Sequence, residues 1–536
     1  MPDPVPRWRA GPALGATCCV VGLLGALVVP AGAEAEPFPE GFLWGTAIAG
    51  FQTEAGKGRN ADPASDWHVW THDAGNIADR TVSGDLPEDG PGHWARFRSD
   101  LDLVADDLHN NAFRFSVEWS RIFPRSTEGI EVGGEIDEED LRRLDHLANR
   151  KAMHHYRKVL DAAAKRDVTP FVTLHHWTLP TWLHDPIATR DAFGGRGPNE
   201  PLPALDAGGW LEPRAVDEFE KYAAYVAWKL GHRADYWNTL NEPLVQVTFG
   251  FVNVPGLIGA FWPPGVFSFT GAIAALVNLE RANTVAYDAL KRFDRGDADG
   301  DGSDSRVGPV MNMIAFTPAN PASPADVEAT EHADYLFNRL FLNGVVRGDV
   351  DANGDGQISP DEDELHARKA DFVGLNYYFR GRVTATGAPL TPAIPILDFI
   401  PVTAYASPAD PSLPPCPTSC SELGAEIYPQ GFRDVIGTAA GYGLPVHVTE
   451  NGIADADDNQ RPAYLTDHLR QLLLAIRNDG ADVRGYFHWS LVDNLEWVFG
   501  YQPRFGLYSF DSRTLKRTPR ASAGLYSDIA AGNALP

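Results

Sequence analysis

Leu444-Pro445-Val446-His447-Val448-Thr449-Glu450-Asn451-Gly452 is the stretch from which the fold can be read. Its first five residues are rich in β-branched side chains, are bounded by Gly443 and Gly452, and are too few for a helix, so they read as a short buried strand. Glu450 then stands at the carboxyl end of that strand, where parallel α/β folds place their chemistry. A second such end occurs far away in the sequence: Thr239-Leu240-Asn241-Glu242-Pro243 closes an apolar strand that begins near Tyr236-Trp237. Two strands ending in Asn and Glu predict two acids brought to one mouth.

Working outward in both directions, the same unit repeats. Apolar runs at 42–48, 112–119, 170–177, 307–314, 372–378 and 483–490 read as further strands. Segments with helical spacing of apolar residues lie between them, at about 94–109, 153–166, 215–230, 272–293, 327–341, 431–440 and 464–478. About eight strand-helix units without an interdomain linker predict a single α/β domain, a (β/α)8 TIM barrel spanning 37–530. Two acidic stretches, 294–305 and 349–364, read as loop insertions in that barrel.

Composition narrows the partners. The 536-residue chain is 44% hydrophobic with 14 Trp, enough for a large core, and its net charge of −27 argues against nucleic acid or an anionic membrane surface. Residues 1–33 read as a signal peptide: Arg7 and Arg9 precede an apolar run from Ala13 to Val29, and Pro30-Ala31-Gly32-Ala33 offers a cleavage site after Ala33. The alternative is an uncleaved anchor, although the run is slightly short of the ~20 residues of a span. Either way the expectation is an exported protein, secreted or periplasmic, held at a membrane only if the leader stays. Past the leader only Cys416 and Cys420 remain, in a Pro-rich loop; a disulfide and two free thiols are both open.

Paired carboxylates at one barrel mouth suit glycoside hydrolysis, which needs a proton donor for the leaving oxygen and a second carboxylate for the anomeric carbon. Glu242 and Glu450 supply such a pair. Arg114 is placed to keep Glu450 ionised, and Asn241 to hold a sugar hydroxyl. The rival reading is a non-catalytic carbohydrate-binding or receptor protein on the same barrel, since fold does not fix function.

The motifs taken together resemble a known family. FPEGFLWGTAIAGFQTE (38–54), FRFSVEWSRIFP (113–124), TLHHWTLPTWL (173–183), TLNEP (239–243), GLNYY (374–378), VTENGIAD (448–455) and GYFHWSLVDNLEW (485–497) are similar, in that order, to the motif series of family 1 glycoside hydrolases, the β-glucosidase/β-galactosidase family. HHWTLPTWLHDP and VTENGIADADDNQRP resemble its archaeal branch. The resemblance implies a retaining β-glycosidase acting on terminal β-linked glucosides or galactosides, with Glu242 as acid/base, Glu450 as nucleophile, and Arg114 and Tyr378 contacting the nucleophile. It also implies that Gln52, His176, Trp177, Asn241, Trp489, Glu496 and Trp497 hold the sugar. Glu496, Pro503 and Phe505 stand where phosphosugar-cleaving members carry Ser, Lys and Tyr, so an unphosphorylated sugar is implied. Thr178 departs from the Asp that many members carry after the His-Trp pair.

No cofactor is expected for catalysis. A structural calcium ion is expected in the 349–364 insertion, because Asp351-Ala352-Asn353-Gly354-Asp355-Gly356-Gln357-Ile358-Ser359-Pro360-Asp361-Glu362 matches a twelve-residue EF-hand loop. Asp351, Asn353, Asp355, Gln357 and Glu362 would be its ligands. Asp297-Ala298-Asp299-Gly300-Asp301-Gly302 begins in the same way but has Gly308 at the twelfth place, so it reads as a weak site, a companion to the first loop, or an acidic turn.

Overall fold

Strands that face helices on one side and a packed interior on the other must be apolar throughout, and in a parallel sheet the cheapest way to remove exposed edges is closure. The computed structural model describes residues 36–254, 259–303, 305–358, 367–408 and 410–536. The leader, residues 1–33, and Glu362 lie outside the described residues. Eight parallel strands close into a barrel in sequence order: β1 (Leu43–Ala47), β2 (Ala112–Ser116), β3 (Thr169–His175), β4 (Tyr236–Asn241), β5 (Arg306–Asn312), β6 (Val373–Tyr377), β7 (Val446–Asn451) and β8 (Val483–Trp489). β7 pairs with both β6 and β8, and β8 returns to β1. β2, β6 and β7 are buried along their whole length.

The connecting helices pack around the barrel: α1 (His93–Asp102), α2 (Arg150–Ala164), α3 (Arg214–Leu230), α4 (Phe269–Phe293), α5 (Pro324–Asp334), α6 (Pro429–Ala440), α7 (Arg461–Asp479) and α8 (Ala521–Gly532). Two of the predicted segments change helix type along their length, and α8 lies outside the periodicity reading. The 94–109 segment leaves α-geometry after Asp102 for a π-turn over Leu103–Asp107. The 327–341 segment starts earlier, because Ser323 caps it by accepting from the Asp326 N–H and Pro324 opens it, and after Asp334 it continues as π and α turns to Arg347. Periodicity alone does not separate an α turn from a π turn, since the same apolar residues remain buried in both.

The barrel interior is layered by the two-residue repeat of its strands. At the bottom an aromatic plug forms: Phe171 packs on Tyr236 with ring centroids 4.3 Å apart and on Phe487 at 4.6 Å, and His447 and Phe372 complete it. Burial drives the His447 imidazole down to about 3, so it serves as a neutral filler. With the bottom sealed, polar side chains of the next layers face only the upper mouth.

Two accessory features matter for the site. Ala315–Pro318, Arg380–Ala385 and Phe399–Val402 form a three-stranded sheet beyond β5 and β6. In the connection that follows, Cys416 and Cys420 are joined in a disulfide, which settles the alternative the sequence left open. Glu36–Pro37 pairs antiparallel with Ala534–Leu535, so the first and last described strands meet. No described helix is long and apolar enough to cross a membrane.

The C-terminal hairpin is held to α1 by a buried ion pair. Arg517 Nη2 donates to Asp100 Oδ2 at 2.8 Å, and His93 Nδ1 lies 2.8 Å from the same oxygen. Burial would raise the Asp100 carboxyl, but these partners hold it below its ordinary value. Arg517→Ala would leave the Asp100 charge buried without its cation, which costs about 3–5 kcal/mol. The expected reading is an earlier urea midpoint at pH 7; an unchanged midpoint would contradict it.

Candidate active site

The sequence-predicted residues converge on one mouth, at the carboxyl ends of the strands. A cavity of about 490 Å³ is lined there by His176, Trp177, Glu242, Tyr378, Glu450 and Trp489, with Glu496 and Trp497 beside them. Each carboxylate is fixed by its strand end. Glu242 follows β4 with a left-handed backbone, φ 47° and ψ 58°, and Pro243 then opens the helix Pro243–Phe251. A non-glycine residue in that region is strained, and such strain concentrates where the fold over-determines a functional position. Trp177 (φ 73°) and Trp497 (φ 49°) share it. Glu450 lies within β7, and Gly452 after it is forced: a Cβ there would collide with the Trp489 carbonyl.

Beneath the acids runs a buried hydrogen-bonded layer. Arg114, on β2, donates through Nη1 to Glu450 Oε1, through Nη2 to Asn241 Oδ1 at 2.6 Å, and through Nε to Thr173 Oγ1 and Asn238 Oδ1, each at 3.2 Å. One guanidinium thereby ties β2, β3, β4 and β7. Tyr378 Oη donates to Glu450 Oε2 at 2.5 Å. Glu242 instead accepts from Asn376 Nδ2 at 2.6 Å, and Asn376 is held by Thr449 Oγ1 donating to its Oδ1 at 2.7 Å. Asn312 stands beside Glu242 as a second neutral amide.

The two environments separate the acids. Burial, and then the charge of Glu450, push the Glu242 carboxyl up to about 8. Glu450 has a guanidinium and a phenol as direct partners; Glu242 has only neutral amides. At neutral pH Glu242 is therefore protonated, beside a Glu450 whose oxygens Arg114 and Tyr378 hold. Burial and Glu450 also raise Glu496 to about 8. His176 is held well below its usual range by burial and by Arg114, so it is neutral.

Several buried polar atoms at this mouth have no hydrogen-bond partner: Gln52 Oε1, His176 Nδ1 and Asn312 Oδ1. Their other atoms are engaged. Gln52 Nε2 donates to Asn494 Oδ1 at 3.1 Å and to the Leu495 carbonyl at 2.8 Å, and His176 Nε2 is 3.4 Å from Asn241 Nδ2. Unpaired buried polar atoms are costly, and a polyhydroxylated ligand supplies partners for them. Trp177 spends its indole N–H on the Asn241 carbonyl at 2.7 Å, so toward a ligand it offers a ring face. His176 lies nearly parallel to both Trp489 and Trp497, with centroids about 6 Å away. Away from the acids the cavity wall turns apolar, with Phe249, Phe316, Phe337, Leu397, Phe399 and Phe505.

Sequence reading missed Asn376, Asn312, Asn238 and Thr173. A signal existed for Asn376: it stands two residues before Tyr378, which places both on one face of a strand. The Thr178 departure has a local partner, because Thr178 Oγ1 donates to Glu118 Oε2 at 2.6 Å and Ser116 Oγ to Glu118 Oε1 at 2.8 Å. An Asp at 178 would set a second carboxylate against buried Glu118.

At the acidic insertions, Asp351 Oδ1 accepts from the Gly354 N–H at 2.8 Å and Oδ2 from the Gly356 N–H at 2.7 Å, while Tyr335 Oη also donates to Oδ2. The Asp297 carboxylate turns in the same way onto the Gly300 and Gly302 N–H groups, but Arg306 already neutralises Asp299 and Asp301.

Comparison with known proteins agrees with this geometry. The model described as "Glycosyl hydrolase family 1" matches residues 34–189 and 199–535. A β-galactosidase of Pyrococcus woesei is 38% identical over 92% of this chain and 97% of its own. Beta-glucosidase A of Thermotoga maritima is 31% identical over 93% and 99%. The crystal structure of the β-glycosidase from Thermosphaera aggregans superposes with a TM-score of 0.80 at 35% identity, covering 93% of this chain and 98% of that one.

Proposed function

The chain belongs to glycosyl hydrolase family 1 and is a retaining glycosidase, and on that premise we propose that it cleaves terminal β-linked glucosides and galactosides by double displacement through a covalent glycosyl-enzyme. The observation that supports this most directly is the contrast between the two acids: Glu450 bonded to Arg114 and Tyr378, Glu242 bonded to amides and raised to about 8.

In this reading Glu242 carries its proton at neutral pH and gives it to the glycosidic oxygen as that bond breaks. Glu450 attacks the anomeric carbon from the opposite face, with Arg114 and Tyr378 holding its oxygens in line. Esterification consumes the charge of Glu450, and with it part of the force that kept Glu242 protonated. Glu242, left as a carboxylate by the proton it gave up, then takes a proton from water and directs the oxygen onto the anomeric carbon, releasing Glu450 and a sugar of unchanged anomeric configuration. Gln52, His176, Asn241 and Glu496 bind the sugar hydroxyls, and Trp177, Trp489 and Trp497 give it ring faces. The leaving group extends toward the apolar wall.

We assign the protein to the exported fraction, on the strength of Arg7, Arg9, the apolar run Ala13–Val29 and the small residues that follow. Calcium is given a structural place at Asp351, Asn353, Asp355, Gln357 and Glu362, on the EF-hand spacing and on the turn of Asp351 onto its loop amides. The test is hydrolysis of p-nitrophenyl β-glucoside and β-galactoside by the protein lacking residues 1–33, followed by NMR of the first-formed sugar, with and without chelator. The β-anomer appearing first, at a rate unaffected by chelation, is the expected result. First-formed α-anomer would overturn double displacement, and turnover lost on chelation while the far-UV circular dichroism stays that of the folded protein would overturn the purely structural role of calcium.

A further inference from the structure

Helix Asp66–His72 forms the outer side of the wall behind the sugar-binding tryptophans, since Trp67 packs on Trp497 with centroids 4.5 Å apart. Its outer face carries His68 and His72, one helical turn apart, and both point at Glu88 in the following loop. His68 Nε2 lies 3.0 Å from Glu88 Oε1 and His72 Nε2 lies 3.4 Å from Glu88 Oε2. The two rings are stacked, with centroids 3.9 Å apart. The donor atoms of all three residues lie within 4.8 Å of one another.

An ordinary His-carboxylate hydrogen bond accounts for only part of this. Glu88 Oε2 is buried and has no hydrogen-bond partner, although His72 Nε2 is nearby. His72 Nδ1 lies 2.7 Å from the His68 carbonyl and donates to it, which anchors the ring and turns Nε2 toward Glu88. An Nε2 lone pair beside a carboxylate oxygen is repulsive unless a proton or a metal cation lies between them. Metal-binding histidines use the same backbone anchor to fix their orientation. Ligand atoms about 2.0–2.1 Å from a tetrahedral ion stand roughly 3.3–3.4 Å apart, close to the separations found here.

We propose that His68, His72 and Glu88 bind a divalent transition-metal ion of borderline softness, Zn2+ foremost, as a staple between helix Asp66–His72 and the loop 83–90. Two nitrogens and one carboxylate select against Ca2+ and Mg2+, which take oxygen ligands. The side chains are 19%, 32% and 21% exposed, so the ion is reached from solvent and water completes its shell. The stapled loop grips the segment after Glu496: the Ser83 N–H donates to the Val498 carbonyl at 2.8 Å, and the Tyr501 N–H donates to Asp85 Oδ2 at 3.0 Å. The ion would thus brace the sugar-binding wall from outside without touching the reacting atoms.

The test uses untagged protein, stripped with chelator, into which Co2+ is titrated while its visible ligand-field bands are followed. One equivalent of Co2+ that Zn2+ displaces and excess Ca2+ does not is the expected result, with a Zn2+-dependent rise in Tm. His72→Gln and Glu88→Gln should keep the metal-free Tm and glycosidase activity while weakening Co2+ binding at least about 100-fold, by loss of a direct ligand. Absence of saturable bands in the parent, displacement by Ca2+, or equal binding in folded His72→Gln would each overturn the site.

Discussion

Glu450→Ala is expected to lower kcat/KM on aryl β-glycosides by roughly 10⁴-fold or more, the scale set by removing a nucleophile from a concerted machinery. That is about 5.4 kcal/mol of lost transition-state stabilisation. The loss has two parts. No carboxylate remains to bond the anomeric carbon, and Arg114 and Tyr378, which now spend hydrogen bonds on Glu450, are left facing an empty space. A small anion such as azide fits that space and should restore turnover, giving a glycosyl azide of inverted configuration because attack now comes from Glu450's side in a single displacement. Activity within tenfold of the parent would remove Glu450 from the mechanism. Turnover by Glu450→Ala without azide, yielding the retained sugar, would point to a different nucleophile.

Glu242→Gln is expected to cost about 10²–10⁴ in rate, the usual span for a positioned general acid, and to change the pH profile. The acid form of Glu242 is the active one, so the parent's kcat/KM falls as pH rises through about 8. Gln does not titrate, and that alkaline limb should vanish. Substrates with poor leaving groups should suffer most, since a nitrophenolate departs without help. The same carboxyl shapes stability with a defined sign. Its folded value is raised above the unfolded value, so its contribution is fully present below about pH 4.5 and is lost as pH rises to about 8. Glu242→Gln escapes that loss and should be more stable than the parent at pH 7, by on the order of 1–3 kcal/mol, with no gain at pH 4. A stability difference that does not change between pH 4 and 8 would show that Glu242 ionises normally.

Glu242→Gln therefore loses rate and gains stability from the same cause. Burial beside a carboxylate makes Glu242 a usable acid at neutral pH, and the folded state bears its cost. Gln52, His176 and Asn312, each with an unpaired buried atom, carry a similar cost until a sugar arrives.

How much was legible can be seen residue by residue. Glu242 and Glu450 were readable because each ends an apolar strand, and a carboxylate in that position has few bland explanations once two of them share a barrel. Arg114 was readable for the same reason, as a charge inside an apolar run. Asn376 and Asn312 were passed over, because an uncharged amide in a strand carries no mark of its partner. Thr178 stands out in the sequence as a departure, but its pairing with Glu118 appears only when β2 and the loop after β3 are side by side. His68, His72 and Glu88 carry no mark in the sequence: the spacing of the two histidines is common, and the acid that completes the group is 16 residues past His72, beyond the short helix Ala74–Ala78.

Sequence by itself determined the repeat of strand and helix, the closure into a barrel and the strand ends that bear the acids, because periodicity and burial are local properties of the chain. The state of those acids was decided only in the tertiary structure. That Glu450 meets a guanidinium and a phenol while Glu242 meets amides depends on which side chains from β2, β4, β6 and β7 stand within about 3 Å, and a carboxyl's proton affinity is set at that distance.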